Sequence, residues 1–231
     1  MLLSGNFGEL RSGHFHSGID IKTQGVSGHK LYAIADGYVS RIKISATGYG
    51  KALYVHHPEL RLTSVYAHLN EFNDEIKNAV LEEQYKTRSF EAQLFPEKED
   101  FKVKAGDFIA YSGNSGGSKG PHLHFEIRKM DNQHPINPLA FNFNIKDNIP
   151  PKIFQVALYP QNNKSFVNQS SSKTIIDTKQ LSQGNYTIDS QDPIKVHGKV
   201  GFGVKTYDFL NKSSNWCGVY TIELQVDSVP V

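Results

Sequence analysis

"GPHLHFEI", residues 120–127, is the stretch on which the fold turns. It reads as a strand, in which neighbours point to opposite faces and residues two apart share one. Leu123, Phe125 and Ile127 then form an apolar face suited to a core. His122, His124 and Glu126 share the other face. Three polar side chains in a row on a buried strand require partners. A solvated outer face with scattered histidines is the plainer alternative, and the run alone does not separate the two.

Just upstream, "GNSGGSKGP" (113–121) is a glycine-rich loop feeding that strand. "GNSGG" literally satisfies G-x-S-x-G with Ser115 as a nucleophile, but that elbow needs a strand before it and a helix after it. A strand follows here, so the loop is read as a turn that sets the approach of the histidines. Neither H-E-x-x-H nor G-x-x-x-x-G-K-[ST] occurs.

A second informative run is "HFHSGIDIKT" (14–23). His16 and Asp20 are an even number of residues apart and return to one face of an extended segment, with Gly18 letting the chain bend between them. A catalytic zinc site takes three protein ligands from His and carboxylate and keeps one position open. His16, Asp20 and one histidine of the 122/124 pair supply such a set. The remaining histidine, and His68 in "SVYAHLN", are candidates for proton transfer and oxyanion stabilisation. His14 shares a face with His16 and is a rival ligand. His29, His56, His57, His134 and His197 show no partner pattern and are read as structural or solvated.

The bulk properties narrow the alternatives. The 231 residues suit one large or two small domains, and 38% hydrophobic content is enough for a real core. With 25 Lys+Arg against 23 Asp+Glu, the net charge of +2 and the lack of a basic block give no case for nucleic acid. The single cysteine, Cys217, excludes an internal disulfide and a multi-cysteine zinc site. No apolar stretch is long enough to cross a bilayer. "MLLSGNFGEL" lacks the basic and apolar segments of a signal peptide, leaving a cytosolic protein or one whose targeting segment is missing.

The chain reads as mainly β. "LYAIADGYVSRIKIS" is broken at Asp36-Gly37, a hairpin signal. "GYGKALYVHH" and "RLTSVYAHL" continue the strand texture. "NDEIKNAVLEEQYKTR" predicts a helical insert over 73–88, with Asn73 as cap and Ile76, Val80 and Leu81 at helical spacing. "FKVKAGDFIAYS" is strand, turn at Ala105-Gly106-Asp107, strand. "KDNIPPK" near 148 marks a boundary. Alternating strands beyond it, separated by Ser/Asn/Gln-rich loops, suggest a small antiparallel sandwich. The expected parts are 1–147 and 151–231, with an insert at about 70–100.

"HSGID", "YAHL" and "GNSGGSKGPHLHFEI", in this order, resemble the lysostaphin-type zinc metallopeptidases, the peptidoglycan endopeptidases of bacterial cell walls. The resemblance covers roughly residues 5–140. "FGELRSGHFHSGIDI" is similar to the family's entry segment, "INPLAF" to its exit, and "ADGYV" and "VKAGDFIAYSG" to strands of its central sheet. It implies an antiparallel sheet with an open groove, of the barrel-sandwich-hybrid kind, and a bound zinc ion. It implies that His16, Asp20 and His124 are the zinc ligands. It further implies that His122 is the general base towards the attacking water, and that His68 helps stabilise the tetrahedral intermediate. Glu126 extends the same face, and a structural or ligand-supporting carboxylate is its expected role.

The implied function is cleavage of peptide bonds in peptidoglycan stems or cross-links, in the cell envelope, periplasmic or secreted. The 70–100 insert is longer than the family connection and is expected to shape access to the groove. Residues 151–231 lie outside the minimal catalytic domain and are expected to bind the wall or an envelope partner, or to act as a spacer. A non-catalytic relative that activates other wall hydrolases is the main alternative, although all five expected positions are filled. A carrier module of biotinyl type is a third, but it lacks a modifiable lysine at a hairpin tip. Asn6 and Glu9, close upstream of His16, raise the further expectation of a side chain that blocks the open zinc position.

Overall fold

The computed structural model describes residues 1–231. They form two compact units, Met1–Ile145 and Lys146–Val231. The fold is mainly β, with antiparallel pairing throughout and one α-helix.

The first unit contains twelve strands: β1 (Leu3–Gly5), β2 (Ile19–Lys22), β3 (Lys30–Tyr32), β4 (Gly37–Ile44), β5 (Lys51–His57), β6 (Leu62–Ala67), β7 (Glu71–Phe72), β8 (Ala92–Leu94), β9 (Lys102–Val103), β10 (Phe108–Tyr111), β11 (His122–Lys129) and β12 (Pro135–Ile136). Its large sheet runs β1-β2-β11-β6-β5-β4-β8, with β12 added to β11 and β9 to β4. A smaller sheet runs β3-β10-β7. The opening octapeptide therefore enters a central strand. Leu123, Phe125 and Ile127 are buried on one face, as their alternation requires, and Phe125 meets Tyr66 edge-on at 5.3 Å.

Two of the expected hairpins are corrected. The strands flanking Asp36-Gly37 do not pair: β3 joins the small sheet, whereas β4 joins the large one. The turn at Ala105–Asp107 likewise connects β9 of the large sheet to β10 of the small one. The two crossings are tied together, because Asp36 accepts from the backbone N–H of Ala105 at 2.8 Å and pairs with Lys104 at 2.8 Å. Local turn chemistry marks a reversal of the chain but not the strand that will be met beyond it.

The insert contains α1 (Asp74–Thr87), capped by the Asn73 side chain accepting from Ile76 N–H at 3.0 Å. Ile76 and Val80 are buried, but Leu81 is 39% exposed and faces away from the core stripe. The insert then returns as β8 on the edge of β4, separated from β11 by three strands. Its added strand thus lies at the end of the sheet remote from the histidines.

The second unit contains β13 (Lys152–Pro160), β14 (Phe166–Val167), β15 (Thr174–Ser182), β16 (Asn185–Ile188), β17 (Val196–His197), β18 (Val200–Phe209), β19 (Trp216–Cys217), β20 (Gln225–Val226) and β21 (Val229–Pro230). The expected small sandwich takes the form of one five-stranded sheet, β16-β15-β13-β18-β19, accompanied by two two-stranded ribbons, β14-β17 and β20-β21. Its buried positions are few: Leu158, Ser165, Val167, Leu210 and Cys217.

Candidate metal centre

Antiparallel pairing of β11 with β2 places His124 opposite Asp20, and pairing with β6 places it opposite Ala67, one residue before His68. Three segments distant in sequence are thereby drawn together at one end of three adjacent strands. Gly18 lies at the expected bend and also permits a close approach. A Cβ there would lie 2.3 Å from the Phe125 carbonyl oxygen and 2.8 Å from Glu126 Cγ. Only glycine lets the His16–Asp20 segment lie flat against β11.

The three central donor atoms form a nearly equilateral triangle. His16 Nε2, Asp20 Oδ1 and His124 Nδ1 stand 3.0 Å from one another. The three residues are buried, and they form the one cluster of potential metal ligands in the chain. Nitrogen and oxygen ligands about 2.0–2.2 Å from a tetrahedral zinc ion stand roughly 3.3–3.6 Å apart. The triangle is within a few tenths of an ångström of that spacing, and its two imidazoles and one carboxylate are a zinc-type donor set, so the residues fit the ion. His14, the rival ligand, is exposed and stands outside the triangle.

The outer nitrogens show why the inner ones converge. His16 Nδ1–H donates to the Asn6 carbonyl at 2.8 Å. His122 Nδ1–H donates to Gly120 O at 2.8 Å, and His68 Nδ1–H to Ser115 O at 2.8 Å. His124 Nε2–H donates to Glu126 Oε1 at 2.8 Å. A neutral imidazole has one donor and one acceptor nitrogen, so each outer bond leaves a lone pair directed inward. His122 Nε2 is 3.5 Å from Asp20 Oδ1, and its ring packs on that of His68 with centroids 4.8 Å apart. The second oxygen of Asp20 is held by Arg11 Nη2 at 2.9 Å, which leaves Oδ1 for the triangle.

The electrostatics match a cation site. Burial alone would raise the Asp20 carboxyl, but the imidazoles of His122, His124 and His16 gathered around it outweigh burial and hold the group well below the carboxylate range. Burial also opposes charge on His124, yet Asp20 and Glu126 lift it to about 9. Burial pushes His68 down to about 4. A divalent cation held at the triangle would compete with protons for these groups.

Ser115 is occupied structurally. Its hydroxyl donates to Leu69 O at 2.8 Å and accepts from Lys51 N–H at 2.9 Å, while its carbonyl holds His68. The glycines around it serve the same packing. Gly116, at φ +70°, lies so close to Gly48 and Gly50 that a Cβ would overlap both. His68 itself takes φ +58°, an unusual conformation for a residue with a side chain. Asn6 contributes its backbone carbonyl to His16, and its N–H donates to Glu9 Oε2 at 3.2 Å.

The model of peptidase family M23 matches residues 14–85 and 82–138, together more than half of the chain. The chain belongs to peptidase family M23. All five candidate residues of this M23 chain fall inside the matched stretches. It is 30% identical over 131 residues to the DD-carboxypeptidase/endopeptidase Mpg of Neisseria meningitidis, covering 57% of this chain and 24% of that protein. It is 32% identical over 125 residues to an uncharacterized metalloprotease of Haemophilus influenzae, covering 54% of this chain and 20% of that one. The aligned segment thus spans about a quarter or less of these curated relatives. Among solved structures, the catalytic domain of lysostaphin from Staphylococcus simulans matches at 24% identity and a TM-score of 0.43, covering 59% of this chain and 87% of that one.

The sequence did not point to Ser17, Tyr49, Arg11 or the backbone carbonyls of Asn6, Gly120 and Ser115. Arg128 alone carried a signal, since it continues the even spacing 122, 124, 126.

Proposed function

We propose that this M23 chain is a zinc-dependent endopeptidase that hydrolyses peptide bonds in the stems or cross-links of peptidoglycan, acting in the bacterial cell envelope. The observation that carries this reading is the convergence of His16 Nε2, Asp20 Oδ1 and His124 Nδ1 at 3.0 Å, with the far nitrogen of each imidazole bonded outward. His16, Asp20 and His124 would hold the zinc. When bound, zinc supplies Lewis-acid polarisation of a scissile carbonyl and acidifies water.

The remaining residues have distinct tasks. His122 presents Nε2 beside Asp20 Oδ1 and takes the proton of the attacking water there. Its Nδ1–H stays on Gly120 O, so the ring keeps its orientation while Nε2 changes protonation. His68, with Nδ1–H on Ser115 O and its ring against His122, is placed to stabilise charge that develops on the carbonyl oxygen. The low exposure of Asp20 and His68 strengthens these interactions, while His122 keeps partial access to solvent. Residues 1–147 act as the catalytic domain, and 151–231 as an appended β module that binds the wall or an envelope partner.

The test is mass spectrometry of muropeptides released from purified sacculi, with and without a chelator. Zinc-dependent appearance of shortened stems or resolved cross-links is expected. Intact muropeptides after incubation with zinc-loaded protein would overturn the reading.

A further inference from the structure

Glu126 is fully buried, yet the catalytic assignments above give it no task. Its surroundings define one. Oε1 accepts from His124 Nε2–H at 2.8 Å, from the Ser17 hydroxyl at 2.6 Å and from the Tyr49 hydroxyl. Oε2 accepts from Arg128 Nε at 2.5 Å, and Arg128 Nη2 reaches the Tyr49 hydroxyl at 3.3 Å. A carboxylate has no proton to give, so each of these partners must be the donor. The proton on His124 Nε2 is thereby required, and Nδ1 is the atom that faces His16 and Asp20. The Tyr49 ring also lies over His124, with centroids 5.1 Å apart at 30°.

His124 differs from the other three imidazoles in this respect. They rest on backbone carbonyls of Asn6, Gly120 and Ser115, whereas its outer nitrogen rests on a side chain. A buried carboxylate is tolerated here because Arg128 pairs with it and hydroxyls satisfy its remaining lone pairs. The four polar residues 122, 124, 126 and 128 occupy one face of β11 at a spacing of two.

We propose that Glu126, held by Arg128, Tyr49 and Ser17, is the positioning residue of the metal centre, orienting His124 so that Nδ1 is presented to the ion. The proposal rests on the zinc-site reading above, but its test involves no substrate. Zinc affinity of the folded protein is measured by competition with a chromophoric chelator, alongside melting of the metal-free protein. Glu126→Ala is expected to weaken zinc binding between about tenfold and a hundredfold. Glu126→Gln keeps an oxygen acceptor towards His124 but unpairs Arg128, and is expected to weaken binding by about tenfold. If the alanine variant does not fold, the glutamine variant decides. A purely structural carboxylate would lower the melting temperature of the metal-free protein and leave the zinc affinity of folded molecules unchanged; that result overturns the proposal. Cobalt substitution adds a second readout: a changed visible spectrum in Glu126→Gln supports reorientation of His124, and an identical spectrum overturns it. If wild-type protein binds zinc tightly but leaves sacculi intact, the peptidase reading fails while the comparison of zinc affinities stands.

Discussion

Two buried histidines, His57 and His124, differ in what their inner nitrogens face. His57 is fully buried at the end of β5, with Nδ1 on the Asp36 carbonyl at 3.0 Å and Nε2 on Ser64 Oγ at 2.8 Å. Both nitrogens are satisfied by groups that no metal would displace. His124 is as deeply placed, but only its outer nitrogen is bound by a supporting group. Its inner nitrogen meets a carboxylate and another imidazole at 3.0 Å. Burial therefore does not distinguish a structural histidine from a ligand. Convergence of potential ligand atoms from separate segments does.

That contrast can be broken most sharply at Asp20. Asp20→Ala is expected to reduce bound zinc from about one ion per chain to near none, measured by elemental analysis after desalting. Stoichiometric zinc in the variant would remove Asp20 from the ligand set. His122→Ala should retain zinc yet release muropeptides ~10²–10⁴-fold more slowly, the range for loss of a general base. Undiminished release would reject its role.

On the structural side, His57→Ala should leave zinc affinity unchanged while destabilising the protein by about 2–4 kcal/mol, from the void and the unpaired Ser64 and Asp36 groups. Chemical denaturation of the metal-free protein measures this. A loss of zinc instead would erase the distinction between the two histidines. The smallest effect concerns pH. Burial holds the His57 imidazole below its usual range, so it stays neutral in the fold while the unfolded chain takes up a proton. Its contribution is fully present above pH ~6.5 and is lost as pH falls below that value, with a slope of at most about 1.4 kcal/mol per pH unit. Subtracting the stability profile of His57→Gln from that of wild type isolates it from His56, whose imidazole is also lowered by burial. Parallel profiles would contradict the assignment.

Much of the site was legible in sequence because strand periodicity is strict. Residues 122, 124 and 126 share a face wherever the strand goes, whereas His16 precedes β2 and reaches Asp20 across the bend at Gly18. The apolar partners Leu123, Phe125 and Ile127 were equally plain. The hairpins at Asp36-Gly37 and Ala105–Asp107 misled because a turn motif is local, whereas strand pairing across two sheets is not. The exposure of Leu81 escaped notice for a related reason: helical spacing describes a stripe but not how wide a strip the neighbouring strands cover. Tyr49 and Ser17 carried no signal, since a lone tyrosine between glycines and a serine beside a histidine are common.

The sequence by itself determined that a β protein would carry paired histidines, a distant His/Asp pair and a glycine-rich approach loop. Those features follow from side-chain alternation and turn chemistry, which act over a few residues. Only the tertiary structure decided which nitrogen of each imidazole faces inward. That choice is made by carbonyl and carboxylate groups brought in from Asn6, Gly120, Ser115 and Glu126, and for His16 and His68 the carbonyl comes from another segment of the chain. A hydrogen bond depends on where two groups meet in space, and the register of β2, β11 and β6 sets that meeting.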